Sequence, residues 1–168
     1  MKRLILMRHG DAERQSAGQP DFDRRLTVEG RNESRAVGRA LDAAGLDPDV
    51  ALVSSARRTT ETWDAASEAF KGRVEVREDR GLYAAGAVQL VAAARDAAAD
   101  GDVVMMVGHN PGIHQYAIHL AISAGASAAQ TKPLFERFPT GTAAVFAIGD
   151  DGRPAFERLI LAKDVRGK

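Results

Sequence analysis

Arg3-Leu4-Ile5-Leu6-Met7-Arg8-His9-Gly10 is the stretch on which the fold turns. Four apolar residues in succession, followed by a sharp polar stop, read as a short strand covered on both faces. Three further short runs carry β-branched, apolar character: Val50–Val53, Val74–Val76 and Val103–Val107. Between them the rhythm becomes helical. Thr27 can cap a helix in which Val37, Ala40, Leu41 and Ala44 follow at i, i+3, i+4 and i+7, before Gly45 and Pro48 end it. Thr59, Thr62, Trp63, Ala66 and Phe70 make a second stripe, with Ser54 or Ser55 available as its cap. Leu90, Ala93, Ala94 and Ala97 make a third, and a fourth starts near Pro111 and runs through Ile113, Ala117 and Leu120. The tail changes character. Thr142–Ile148 and Ala155–Ala162 are strand-like, and Gly149-Asp150-Asp151-Gly152 between them is hairpin chemistry. Alternating strands and helices predict an α/β fold: a three-layer α/β/α arrangement with a mainly parallel central sheet and a C-terminal antiparallel hairpin. Residues 12–23 and 125–139 are rich in Gly, Ser, Pro and charge and read as loops. The second is long enough to suggest a lid or substrate-binding segment.

Bulk composition narrows the function classes. A chain of 168 residues fits one domain, residues 1–168. There is no cysteine, so there is neither a disulfide framework nor a thiolate metal site. Twenty-three basic and 23 acidic residues cancel, which argues against a nucleic-acid-coating protein. No apolar run approaches the ~18 residues of a membrane span. The apolar part of the first residues is too short for a signal peptide, so a cytoplasmic location is the expectation. A monomer is compatible with all of this, and the oligomeric state is left open.

The polar ends of the strands carry the chemistry. In an open parallel sheet, ligands bind beyond the carboxyl ends of the strands. The first strand ends in Arg8-His9-Gly10, the second in Ser54-Ser55-Ala56-Arg57-Arg58, and the fourth in Gly108-His109-Asn110-Pro111-Gly112. Two histidines and several arginines therefore arrive at one edge. A guanidinium forms two parallel bonds to phosphate oxygens and keeps its charge at any working pH. Glycines beside the histidines let backbone approach a ligand, and helices starting after Ser55 and Asn110 aim N–H groups at an anion. A histidine among arginines stays neutral near pH 7, and a neutral imidazole nitrogen is a nucleophile that can attack phosphorus.

With these residues in place, the chain resembles the histidine phosphatase superfamily, the group with the phosphoglycerate mutase-like fold. Within it, the chain is similar to the small bacterial phosphohistidine phosphatases (SixA-type). The resemblance runs through LILMRHGDAE, DFDRRLTVEGRNESR, SSARRTTET, VVMMVGHNPG and RFPTGTAAVF, and so through nearly the whole chain. It implies that His9 is the phosphorylated nucleophile and that Arg8 binds the phosphoryl group. Arg58 falls on the arginine of the Ser54-to-Thr62 S-x-x-x-R-x-x-x-T segment. His109 falls on the second pocket histidine, which stabilises transition-state charge. Gly10 and Asn110 join Arg8, Arg58 and His109 as phosphate-binding candidates. The resemblance implies no metal and no cofactor.

One departure matters. Larger members carry a general-acid glutamate after the third strand, and the corresponding REDRGLYAAG (77–86) holds no recognisable copy of that motif. Asp11 and Glu78 are candidate proton donors and Arg24 a candidate for the pocket mouth; a carboxylate beside such a site is more often an orienter. Lack of a strong acid suits a leaving group that departs readily, such as the imidazole of phosphohistidine. The expected partner is accordingly a phosphorylated protein. The alternatives are a phosphatase of small phosphate esters, a mutase, and a phosphate-binding adaptor without chemistry. No G-x-G-x-x-G follows the first strand, which speaks against dinucleotide binding. His109, His114 and His119 are five apart, about 140° around a helix, so they cannot share one metal ion.

Overall fold

The computed structural model describes residues 1–165. Six strands form one sheet: β1 (Arg3–Arg8), β2 (Val50–Ser54), β3 (Glu75–Asp79), β4 (Val103–Gly108), β5 (Ala143–Ile148) and β6 (Pro154–Ile160), in the order β3-β2-β4-β1-β5-β6. β4 pairs in parallel with β1 and β2, and β2 with β3; β5 runs antiparallel to β1 and β6. Helices α1 (Val28–Asp42), α2 (Arg57–Ser67), α3 (Ala87–Ala97), α4 (Gly112–Ser123), α5 (Ala128–Glu136) and α6 (Ala162–Val165) cover the sheet.

Alternation along β1 shows how the layers are built. Leu4 and Leu6 face one core with Leu90 and Ala94 of α3 and Ile113 and Ala117 of α4. Ile5 and Met7 face the other, with Val37 and Leu41 of α1 and Trp63 of α2. All four β1 residues are fully buried, which is why the strand reads as an unbroken apolar run. Full burial of each such side chain contributes about 1.5–3 kcal/mol.

Four local expectations are corrected. The third strand lies at Glu75–Asp79 rather than Val74–Val76. It is an edge strand with four of its five residues exposed, so backbone pairing from Val50↔Glu75 to Ser54↔Asp79 sets its limits and hydrophobicity does not. Segment 125–139 is not simply a loop. It contains α5, capped by Ser127 in a reciprocal arrangement with Gln130 and anchored by fully buried Leu134. An internal Pro133 hides this helix in the sequence. Neither Ser54 nor Ser55 caps α2; its N-cap is Ala56, with no side-chain bond. The last two strands begin at Ala143 and Pro154, and β6 ends at Ile160. Thr27 does cap α1, accepting from the Gly30 N–H at 2.9 Å.

Candidate active site

β1 and β4 lie side by side with Arg8 opposite Gly108, and the His9 N–H donates to the Gly108 carbonyl at 3.1 Å. The helices that follow these two strands leave for opposite faces: α1 joins the core of α2, and α4 the core of α3. Their departure opens a crevice at the carboxyl edge of the sheet. His9 and His109 stand at its two lips, with ring centroids 5.2 Å apart.

Gly10 is required by contact. A Cβ there would lie 2.6 Å from the Gly30 carbonyl oxygen and 2.8 Å from Ser34 Oγ, because α1 crosses against the backbone. The Gly10 N–H donates to Thr62 Oγ1 at 2.9 Å, and the Thr62 hydroxyl donates to the Arg58 carbonyl at 2.6 Å. Thr62 is thus more than one position of a helical stripe. One buried hydroxyl ties the end of β1 to the first turns of α2, which carry Arg58.

The cations are held from several directions. Arg8 donates through Nη1 to the Phe138 carbonyl at 2.9 Å, and Asn110 Nδ2 donates to the same oxygen at 3.0 Å. Segment 125–139 therefore reaches the site through the backbone after α5. Arg58, only 6% exposed, donates through Nη1 to the Asp21 carbonyl at 2.7 Å and through Nη2 to Asp21 Oδ2 at 2.9 Å. Asp21 also accepts from Arg24 Nη1 at 2.8 Å and from the Tyr83 hydroxyl at 2.6 Å. Those two bonds, with Arg58 beside them, hold its carboxyl far below the usual carboxylate range. Asp21 is ionised and accepts hydrogen bonds; it is no acid. The Tyr83 ring meets His109 edge-on at 5.3 Å.

His9 Nδ1 lies 2.8 Å from the Gly10 carbonyl oxygen. A carbonyl only accepts, so Nδ1 carries the ring proton and Nε2 keeps its lone pair. Burial, together with Arg58, Arg8 and Arg24, brings the His9 pKa down to about 4, against the opposing pull of the Gly10 bond. Burial and then the His9 and Arg58 charges bring His109 to about 3. Both rings are neutral at pH 7.

Six buried side-chain nitrogen or oxygen atoms lack a partner among the described residues. Four are Arg8 Nε, Arg58 Nε, His109 Nδ1 and Asn110 Oδ1. A fifth, Thr142 Oγ1, belongs to the residue whose carbonyl accepts the Arg8 N–H, and the sixth, Asp47 Oδ1, lies apart from these, just before β2. Buried orphans are costly, about 1–3 kcal/mol each, so their concentration at one place marks where a ligand is expected. An adjoining hollow of about 350 Å³ is lined by Arg58, Tyr83, Gly86, His109, Asn110 and Pro111. His9 meets it through the His109 ring, and Arg8 through the carbonyl it shares with Asn110.

The remaining candidates are placed differently. Asp11 Oδ2 accepts from the Thr27 hydroxyl at 2.9 Å, at the start of α1, which is an orienting contact. Glu78 is exposed on β3 and does not line the hollow. Arg24 does not line the hollow; it bonds Asp21, which also holds Arg58, and the Glu13 carbonyl. His114 bonds the Leu134 carbonyl and stacks on Phe138, and His119 is exposed. Among the described residues, no group of three or more His, Cys, Asp or Glu side chains is placed to hold a metal ion. Asp21, Tyr83, Ser54 and the Phe138 carbonyl were not picked out by sequence reasoning. The signals available were their places in the quoted segments: Asp21 in DFDRRL, Ser54 at the head of SSARRTTET, Tyr83 in REDRGLYAAG and Phe138 in RFPTGTAAVF.

Comparison with known proteins follows the same lines. The sequence model of the histidine phosphatase superfamily (branch 1) matches residues 4–87. No curated protein matches the chain by sequence. Among solved structures, a candidate phosphohistidine phosphatase SixA from Agrobacterium tumefaciens superposes with a TM-score of 0.82 at 26% identity, covering 95% of this chain and 97% of that one. A second SixA candidate, from Nakamurella multipartitia, gives 0.82 at 28% identity with 95% of each chain covered. A phosphoglycerate mutase from Plasmodium falciparum shares the fold at a TM-score of 0.61 and 16% identity, over 94% of this chain and 89% of its own.

Proposed function

Because the chain belongs to the histidine phosphatase superfamily, we propose that it is a phosphatase working through a phosphorylated His9. The neutral Nε2 attacks phosphorus, a P–N bond forms, and the bond to the leaving group breaks. Water then attacks the phosphorus, the P–N bond breaks, and inorganic phosphate leaves. Arg8, Arg58 and His109 bind the non-bridging oxygens and offset the charge that builds up on them. Gly10 and Asn110 complete the pocket.

One observation carries this reading. The buried donors Arg8 Nε and Arg58 Nε and the Nδ1 of His109 are left without partners around His9, whose ring proton sits on Nδ1 and leaves Nε2 its lone pair. An oxyanion beside His9 gives those donors what they lack.

The favoured substrate is phosphohistidine on a phosphotransfer protein. Two structural neighbours at 26% and 28% identity are themselves candidate phosphohistidine phosphatases. The carboxylate at the mouth, Asp21, is held ionised and cannot protonate a leaving group. That suits an imidazole better than an alkoxide.

Replacing His9 with Ala should lower turnover of an aryl phosphate by on the order of 10⁴ or more and abolish any trapped acid-labile phosphoenzyme. Wild-type rates in that variant would refute the mechanism. A panel of sugar phosphates, nucleotides and a histidine-phosphorylated carrier protein decides the substrate. Preference for the small esters would overturn the protein assignment, and tight phosphate binding without hydrolysis would favour an adaptor.

A further inference from the structure

Ser54, the last residue of β2, is fully buried, and among the described residues its hydroxyl has one hydrogen-bond partner, His109 Nε2 at 2.8 Å. The other nitrogen of that ring, Nδ1, is buried with no partner. Two neutral arrangements fit this geometry. If His109 carries its proton on Nε2 and donates to Ser54, the serine hydrogen is buried without an acceptor, and the Nδ1 lone pair is also unmet. If the serine donates into Nε2, the hydroxyl is satisfied and the ring proton moves to Nδ1. Only one group is then unpaired, a buried N–H. The second arrangement leaves fewer orphans, and its single orphan is a donor.

We propose that Ser54 is a positioning residue that fixes His109 as the Nδ1–H tautomer, giving the site a neutral hydrogen-bond donor for a bound oxyanion. The donor role rests on the phosphatase reading of the site; the tautomer itself does not. A neutral donor has a use here. Arg8 and Arg58 already bring two fixed positive charges, and burial beside them disfavours a third. The serine gives the ring a definite donor direction with no further charge.

The test reads the tautomer directly on the full chain. Protein labelled with ¹⁵N-histidine is studied at pH 7, with the His109 signals assigned by their loss in His109→Gln. The expected wild-type pattern is a protonated Nδ1 and an unprotonated Nε2. An Nε2–H pattern in the wild type overturns the proposal without any variant at Ser54. In Ser54→Ala the Nδ1–H population should fall from dominant to a minority, and inorganic phosphate should bind roughly 10-fold more weakly, as for loss of one hydrogen bond. An unchanged tautomer in Ser54→Ala overturns it equally. Should His9→Ala stay active while Ser54 still sets the ring's tautomer, the phosphatase mechanism fails and the positioning role stands.

Discussion

The two ends of the parallel strands treat polar atoms in opposite ways. At the amino ends, carboxylates and carbonyls are mostly met, with Asp47 Oδ1 before β2 the exception among the described residues. Asp49 Oδ2 accepts from the Asp102 and Val103 N–H groups at 2.8 and 2.9 Å, and Lys2 pairs with Asp102 at 2.7 Å. Arg77 spans Glu75 and Asp100 on the adjoining edge strand. At the carboxyl ends, Arg8, Arg58, His109 and Asn110 each keep one buried polar atom without a partner. The first end is exposed and pairs its charges with each other, where water also serves them. The second end withdraws cations from water and leaves guanidinium donors open, together with a ring nitrogen of His109 and the Asn110 amide oxygen. A fold tolerates such a cost where a ligand repays it.

The largest expected break in this contrast comes from Arg58→Ala. Removing one preorganised donor should lower kcat on an aryl phosphate by about 10²–10³. Steady-state kinetics checks it, and a loss under 10-fold would mean that the Asp21-bound guanidinium does not serve the phosphoryl group.

The pH dependence of stability sharpens the contrast next. His9 is held at about 4 against an ordinary 6.5, so between those values the unfolded chain takes up a proton that the folded protein refuses. Stability is therefore complete above about pH 6.5 and falls as the pH drops towards 4, by roughly 3 kcal/mol for His9 alone. His109, at about 3, acts in the same direction and extends the loss to lower pH. Urea midpoints between pH 7 and 4 should decline in the wild type and decline less steeply in His9→Gln. A flat wild-type profile would show that the rings are not buried as described.

The smallest effects belong to the amino ends. Asp49→Ala removes an acceptor shared by two backbone N–H groups and should destabilise the fold by about 1 kcal/mol, with kcat unchanged. Lys2→Ala breaks a pair exposed on both sides and should leave the thermal midpoint where it is. A fall in activity from either would erase the distinction between the two ends.

Much of the site was legible because its residues lie directly at the ends of apolar strands. Arg8 and His9 close β1, and His109 follows β4, so recognising the strands places the side chains. Arg58 follows β2 by a few residues, on a helix whose apolar stripe is visible. Asp21 and Tyr83, which support them, carried no such mark. Asp21 looks like one acidic residue in a charged loop, and Tyr83 like an aromatic after an edge strand. Ser54 looked like a helix cap and proved to be a partner for a ring 55 positions away.

Hydrophobic order along the chain, read residue by residue, was enough to specify the buried strands, helices α1 to α4, the layered sheet and the arrival of Arg8, His9, Arg58 and His109 at one edge, but not the limits of exposed β3 or the Pro-containing α5. What holds those side chains came only with the tertiary structure: Phe138 beneath Arg8 at a separation of 130 residues, Asp21 against Arg58 at 37, and Tyr83 against Asp21 at 62. The physical reason is range. Periodic burial is a local property written into neighbouring residues, whereas a hydrogen bond between distant segments leaves no periodic trace and exists only once the sheet has brought its partners within 3 Å.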